Sequence, residues 1–392
     1  GKRVNFIQCY SVRAEANFVA QEIKRLVSYD HVRYKEIAIL YRTNAQSRTF
    51  EEKFMQNGIP YIVVGGLKFY ERKEIKDILA YMRLVENPRD DISFLRVVNV
   101  PRRGIGPINL ERLQSFAAEN NLSIFDVVDS SENLEQVPQL SPKCKQKLRE
   151  FVLMLKNFSN AKDSLPTSSL ANAILNESGY LRELTEGEDG QKPENIARAE
   201  NLSSFVNGVK EFEEENPDAN LEDFLNHVAL VADIDSYNEE ENSRVSLMTI
   251  HSAKGLEFPF VFVTGLEEGI LPHANSMIYM NELEEERRAC YVAMTRAKQR
   301  LYLTAADKRR TFGRLYASPV SRFIGEIPAS IMDSFSETDS GSEENFLQSM
   351  NYIKNPSSAS NTQPKTANSK VISLANKKKP LQSNVAWQIG DK

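Results

Sequence analysis

The chain carries 392 residues, 41% of them hydrophobic, with 49 Lys and Arg against 54 Asp and Glu for a formal charge of -5. That length and apolar fraction suffice for more than one ordinary core, while the acidic balance argues against a protein that coats nucleic acid by bulk charge alone, so any such contact has to be local. Three widely spaced cysteines, Cys9, Cys144 and Cys290, make neither a disulfide framework nor a zinc site. No apolar run reaches membrane length and no leader opens the chain, so a bacterial cytoplasmic setting with no membrane contact is expected.

The opening RVNFIQCY reads as a strand, followed by a helix in which Ala16, Val19, Ile23 and Val27 are spaced for one buried face. EIAILY (36–41) is the next strand, and it runs into the polar turn RTNAQSR (42–48), where Thr43 or Asn44 is available to cap a following helix. YIVVGG (61–66) is a third strand, ending on Gly65 and Gly66, where backbone can approach a ligand closely. On residue type alone Arg42, Asn44, Arg48 and Lys68 are candidate phosphate ligands, and Phe69 or Tyr70 is a candidate for stacking a base. A surface charge or a packed aromatic is an equally good account of each.

Residues 91–241 show no strand-like runs of similar strength and carry amphipathic segments such as Leu140 to Phe158 and Asn220 to Ala232, so they read as helical. Their sharpest feature is VPRRGIGPINLERL (100–113). Gly104, Ile105 and Gly106 resemble the hairpin of a helix-hairpin-helix, whose glycines let backbone N–H groups meet a phosphate with Arg102 and Arg103 alongside. A helix C-cap uses glycine just as readily. The acidic stretch EFEEENPDANLED (211–223) reads as a solvated face or linker.

From Arg244 to Ala305 the pattern returns to strands: SLMTI (246–250), FPFVFVTG (258–265) and LYLTA (301–305) are apolar runs typical of buried parallel strands. HSAKGLE (251–257) is expected as a loop at the C-terminal edge of a strand. A helix is expected from about Glu282 to Ala297, acidic at its start and basic at its end as the helix dipole favours, with Arg296 finishing near the same edge as the loop. A guanidinium, an ammonium and a carboxylate at one edge suit a nucleotide, with Arg296 on the terminal phosphate and Glu257 on sugar hydroxyls. A solvated, ion-paired helix is the plain alternative. Residues 1–90 and 242–330 are thus expected to close one α/β domain with a parallel sheet, interrupted by the all-helical 91–241. Residues 331–392 are expected as a disordered tail in which only VAWQIGDK, with Trp387, regains a strand pattern.

TIHSAKGLEF and EEERRACYVAMTRA resemble the fifth and sixth motifs of superfamily 1 DNA helicases of the UvrD, Rep and PcrA group, and the similarity runs from about residue 4 to residue 330. The resemblance implies a second RecA-like domain of the P-loop NTPase type, split by a swivelling insertion. It implies that RTNAQSR and GGLKFYER line a single-stranded DNA track, that Thr249 and His251 face DNA, and that the Gly-Ile-Gly hairpin grips duplex at a junction. Arg296 would be an arginine finger on ATP, Glu257 the ribose ligand, and Lys254 and Gly255 the loop between ATP and DNA.

No Gly-Lys-Ser or Gly-Lys-Thr loop is present, the only Gly-Lys pair being Gly1-Lys2, and no Asp-Glu pair closes an apolar strand. The chain is therefore expected to be the C-terminal half of an ATP-dependent 3′ to 5′ DNA helicase of repair and replication, inactive alone. Its Mg²⁺ ligands would lie on a missing N-terminal helicase domain, and its tail would open a truncated β-domain that is a candidate tether for RNA polymerase. A non-catalytic, helicase-like DNA-binding subunit is the alternative.

Overall fold

The structure, a computed structural model, describes residues 2–236 and 243–337. Seven strands pair side by side in one parallel sheet: β1 (Val4–Cys9), β2 (Ile37–Tyr41), β3 (Tyr61–Val63), β4 (Val245–Thr249), β5 (Phe258–Val263), β6 (Ala297–Ala306) and β9 (Met332–Ser336), in the order β3-β4-β2-β5-β6-β1-β9. Every residue of β2 is buried, as expected of a central strand with both faces covered. Two further strands, β7 (Lys308–Thr311) and β8 (Arg314–Ala317), form a separate antiparallel hairpin.

Helix α1 (Val12–Tyr29) starts where the Ser11 side chain accepts a bond from the Ala14 N–H, and it buries Ala16, Val19, Ile23 and Leu26. Leu26 takes the place expected of Val27, which is only half-buried. α2 (Ser47–Gln56) and α3 (Lys73–Glu86) follow, and nine more α-helices, α4 to α12, are found among the described residues between Asp91 and Ser236. α13 (Met280–Met294) and the short α14 (Arg322–Gly325) complete the set.

Two of the apolar cores among the described residues matter here, a further set, with Ile39, Phe262 and Tyr302, being buried as well. One combines α3 with the helices that follow, from Ile75 and Tyr81 through Phe151 and Leu170 to Phe205 and Phe224. The other lies on the sheet, with Leu40, Met248, Val261, Val263, Leu303 and Cys290. The long α11 (Pro193–Glu215) joins them. It buries Leu202, Phe205 and Val206 and sends polar bonds to the sheet side, with Asn207 donating to the Arg310 carbonyl and accepting from the Gly313 N–H, and Glu214 pairing with Arg310 at 2.8 Å.

Three expectations change. The last central strand begins at Ala297 rather than Leu301 and the preceding helix ends at Met294. β9 falls in the stretch expected to be disordered from residue 331. Its half-exposed edge position needs no apolar run, so MDSFS carries little strand signal. The rest of the expected tail, including VAWQIGDK and Trp387, lies outside the described residues. No described helix is long and apolar enough to cross a membrane.

Candidate functional site

Because β4, β2, β5 and β6 are all parallel, the sheet has two distinct rims. Thr249 pairs with Tyr41 where β4 and β2 end, whereas Phe258 pairs with Ala297 where β5 and β6 begin. Residues 250–257 therefore leave the C-terminal rim and arrive at the N-terminal rim. This corrects the expectation that Arg296 and the whole HSAKGLE loop share a C-terminal edge: a link between parallel strands has to cross the sheet.

The C-terminal rim holds Arg42, Asn44, Gly65, Thr249 and His251. Gln46 accepts the Arg42 and Thr43 N–H groups through its side-chain oxygen at 2.9 and 3.0 Å, which turns the chain from β2 into α2. Asn44 stands exposed on that turn. Gly65, at φ +75, brings its backbone so near the neighbouring loop that an added Cβ would lie 3.4 Å from the Ser252 hydroxyl. Thr249 Oγ1 is 2.9 Å from that hydroxyl and accepts the Ser252 N–H. His251 keeps much of its surface in solvent, and partial desolvation of its ring together with the nearby Arg42 cation lowers its imidazole below the ordinary value against the pull of Glu286. Lys68 lies 5.6 Å from the Tyr61 ring centroid.

Most guanidinium groups here are matched to carboxylates. Arg42 forks onto Glu286 through Nε and a terminal nitrogen at 2.7–3.1 Å, and Glu286 also accepts the His273 N–H. Burial would raise the Glu286 carboxyl, but the Arg42 bonds outweigh it and hold it below the usual range. Arg48 is 2% exposed and bonds Glu52 at 2.7 Å, Glu211 at 2.9 Å and Ser204 at 3.2 Å. It was expected as a phosphate ligand; instead it ties α2 to α11, out of reach of solvent. Phe69 is 1% exposed and so presents no face for a base, while Tyr70 is half-buried against the helical core and donates its hydroxyl to Glu52.

At the N-terminal rim the partners differ. Arg296 donates from Nε to the Val292 carbonyl at 3.0 Å, from one terminal nitrogen to the Leu256 carbonyl at 3.1 Å and from the other to Thr295 Oγ1 at 3.1 Å. All three acceptors are neutral. A guanidinium has five N–H donors, so one remains on each terminal nitrogen, spaced as the fork that meets two phosphate oxygens. The Phe258 N–H bonds the Arg296 carbonyl at 2.9 Å and locks this turn to the start of β5. Glu257 is half-exposed and its carboxylate lies 3.1 Å from the Lys298 ammonium. Lys254 and Gly255 are exposed in the crossing segment, Gly255 at φ +86 with open space where a Cβ would stand.

The third expected site, on the helical side, is divided. Gly104 takes φ +71, as a hairpin glycine must, and Gly106 caps α5 (Pro107–Glu119). Arg102 is exposed. Arg103, expected beside it on phosphate, turns inward instead: its guanidinium donates to the carbonyls of Val97, Val98 and Val100 and to the Tyr81 hydroxyl, and it stacks 4.8 Å from the Phe151 centroid. Ile105 is 3% exposed and its N–H is taken by Asn99, so it too is corrected to a structural residue.

Sequence reasoning did not single out Glu286 as the partner of Arg42, nor Lys298 as the partner of Glu257. The acidic start and basic end of the helix were visible, but their partners lie far off in sequence.

The fold is thus a parallel α/β sheet interrupted by helices, with a carbonyl-held guanidinium at the start of β6. The profile of the UvrD-like helicase C-terminal domain matches residues 1–308, and the chain belongs to that family. It is 44% identical over 342 residues to the ATP-dependent DNA helicase PcrA of Bacillus subtilis (86% of this chain, 45% of that protein). It is 41% identical over 396 residues to the PcrA of Staphylococcus epidermidis (100% and 50%) and 42% identical over 340 residues to that of Staphylococcus aureus (86% and 45%). The chain spans about half the length of these curated relatives.

Proposed function

We propose that this chain is the second lobe of an ATP-dependent DNA helicase that moves 3′ to 5′ along one strand and opens duplex DNA in repair and replication. ATP binds between the N-terminal rim of its sheet and a P-loop lobe, and single-stranded DNA runs along the C-terminal rim. Arg296 places its free fork on the γ phosphate as charge builds in the transition state. Glu257 accepts from the ribose, and Lys254 and Gly255 form the segment that links the two rims. Arg42, Asn44, Lys68, Thr249 and His251 face the strand. Gly104, Gly106 and Arg102 meet the duplex from a mobile helical insertion, whose core takes in α3 as well as residues 91–241, set into a sheet domain that runs on through β9. No group of three or more His, Cys, Asp or Glu that could hold a metal is found among the described residues, so we derive no step through Mg²⁺ and assign its ligands to the P-loop lobe. An RNA polymerase contact through the tail stays part of the proposal, on residues outside those described.

The observation that carries the reading is the Arg296 guanidinium, fixed at a strand start by neutral acceptors with two donors left over. Arg296→Ala in the two-lobed protein should cut DNA-stimulated phosphate release by about a thousandfold and leave single-strand affinity within about twofold of the parent. Retained turnover would remove Arg296 from the reaction, and with it the motor.

A further inference from the structure

Glu257 is the carboxylate that follows Leu256, the residue whose carbonyl Arg296 holds, and it ends the segment that crosses between the rims. Gly255, two residues earlier, takes φ +86 with no neighbour where a Cβ would stand. Beside the backbone bonds from the Leu256 N–H to the Ala253 carbonyl and from the Phe258 N–H to the Arg296 carbonyl, two side-chain contacts hold the end of the segment. Arg296 donates to the carbonyl of Leu256 at 3.1 Å, and the Lys298 ammonium lies 3.1 Å from Glu257 Oε2. Consecutive residues of the segment are thus pinned by alternate residues of the turn into β6.

The backbone at Lys298 is also irregular. Phe258 pairs with Ala297 and Phe260 with Arg300, so β6 uses one more residue than β5 over the same span. Such a bulge bends the strand and re-aims the side chains it carries, and bulges gather beside functional sites. Here the extra residue lies in the short stretch that contains Lys298.

We infer that Lys298 is a positioning residue for sugar recognition: it anchors one oxygen of Glu257 so that the other is presented to a ribose hydroxyl, and it sets how strongly the site distinguishes ATP from its deoxy forms. The inference rests on the nucleotide reading of this rim. An ammonium is a compact point charge that can hold Oε2 and leave Oε1 with its lone pairs. Both partners are more than half-exposed, at 55% and 53%, so the pair is a modest one and the expected effect is about fivefold at most.

The test uses the two-lobed protein and calorimetric affinities for a non-hydrolysable β,γ-imido ATP, alongside its 2′-deoxy and 3′-deoxy counterparts. The parent should prefer the ribose form. Lys298→Glu, which repels Glu257, should weaken the ribose form by up to about fivefold and leave at least one deoxy form unchanged, so that the ratio falls toward one. Lys298→Ala should do the same to a smaller degree and Lys298→Arg should keep the parent's ratio and KM, while kcat holds in all three and KM for ATP rises only in Lys298→Glu and Lys298→Ala. If Glu257→Ala erases the preference but Lys298→Glu and Lys298→Ala keep it, the role of Lys298 is refuted and the ribose reading survives. If Glu257→Ala, which removes the acceptor, leaves the preference intact, the ribose reading fails and the inference goes with it.

Discussion

The two rims of the sheet use the same cation in opposite ways. At the C-terminal rim Arg42 and Arg48 meet Glu286, Glu52 and Glu211, so their charge is compensated inside the molecule. At the N-terminal rim Arg296 is oriented by two carbonyls and a hydroxyl and keeps its full charge for something else. The partner's charge therefore says more about the task of a buried arginine than its burial does: carbonyls aim a guanidinium, carboxylates neutralise it. Arg103 gives the necessary qualification, because carbonyls and a hydroxyl surround it so completely, with Phe151 on its face, that the fork points into the fold.

The largest effect that would break this comparison is on stability. Arg48→Ala leaves Glu52 and Glu211 without their buried cation and should cost about 3–5 kcal/mol, read as a lower urea midpoint, while the folded variant binds single-stranded DNA as before. An unchanged midpoint with lost DNA binding would return Arg48 to the DNA track. Next come the neighbours Arg102 and Arg103. Arg102→Ala should weaken duplex binding roughly fivefold and reduce the log K against log salt slope by about 0.9. Arg103→Ala should instead lower the melting temperature, since the Tyr81 hydroxyl and three carbonyls lose their donor.

The smallest effect sharpens the comparison by pH. His251 has its pKa lowered in the fold, so the native state favours the neutral ring. Its contribution to stability is complete above the ordinary value of about 6.5 and is lost as pH falls through the lowered one. The same protonation adds a cation beside the compensated Arg42. Single-strand affinity at fixed ionic strength should therefore rise about two- to threefold toward pH 5, and His251→Asn should flatten that rise in an anisotropy titration.

The strands of the sheet core were legible because buried parallel strands are nearly continuous apolar runs, as in IAILY and FPFVFV. β9 and the β7–β8 hairpin were not, since MDSFS is a half-exposed edge strand and KRRT and RLYA carry their charges outward or into pairs. The division of the site between two rims was within reach of the sequence. Two parallel strands joined by a short link demand a crossing, and reading HSAKGLE as a loop on one edge overlooked it. The fate of Arg48 was out of reach, because Glu211 lies 163 residues away and pairing over that distance depends on how the inserted helices dock.

Helix α13 carries one more consequence. Glu286, which grips Arg42 at one rim, and Arg296, which stands at the other, are ten residues apart on or just past this single helix, a rise of about 15 Å. A rod of that length seated on a close-packed sheet does not stretch. A push delivered to either end arrives at the other as a displacement of the whole slab, so the give in any mechanical cycle has to be found at the joints around this lobe and not within it.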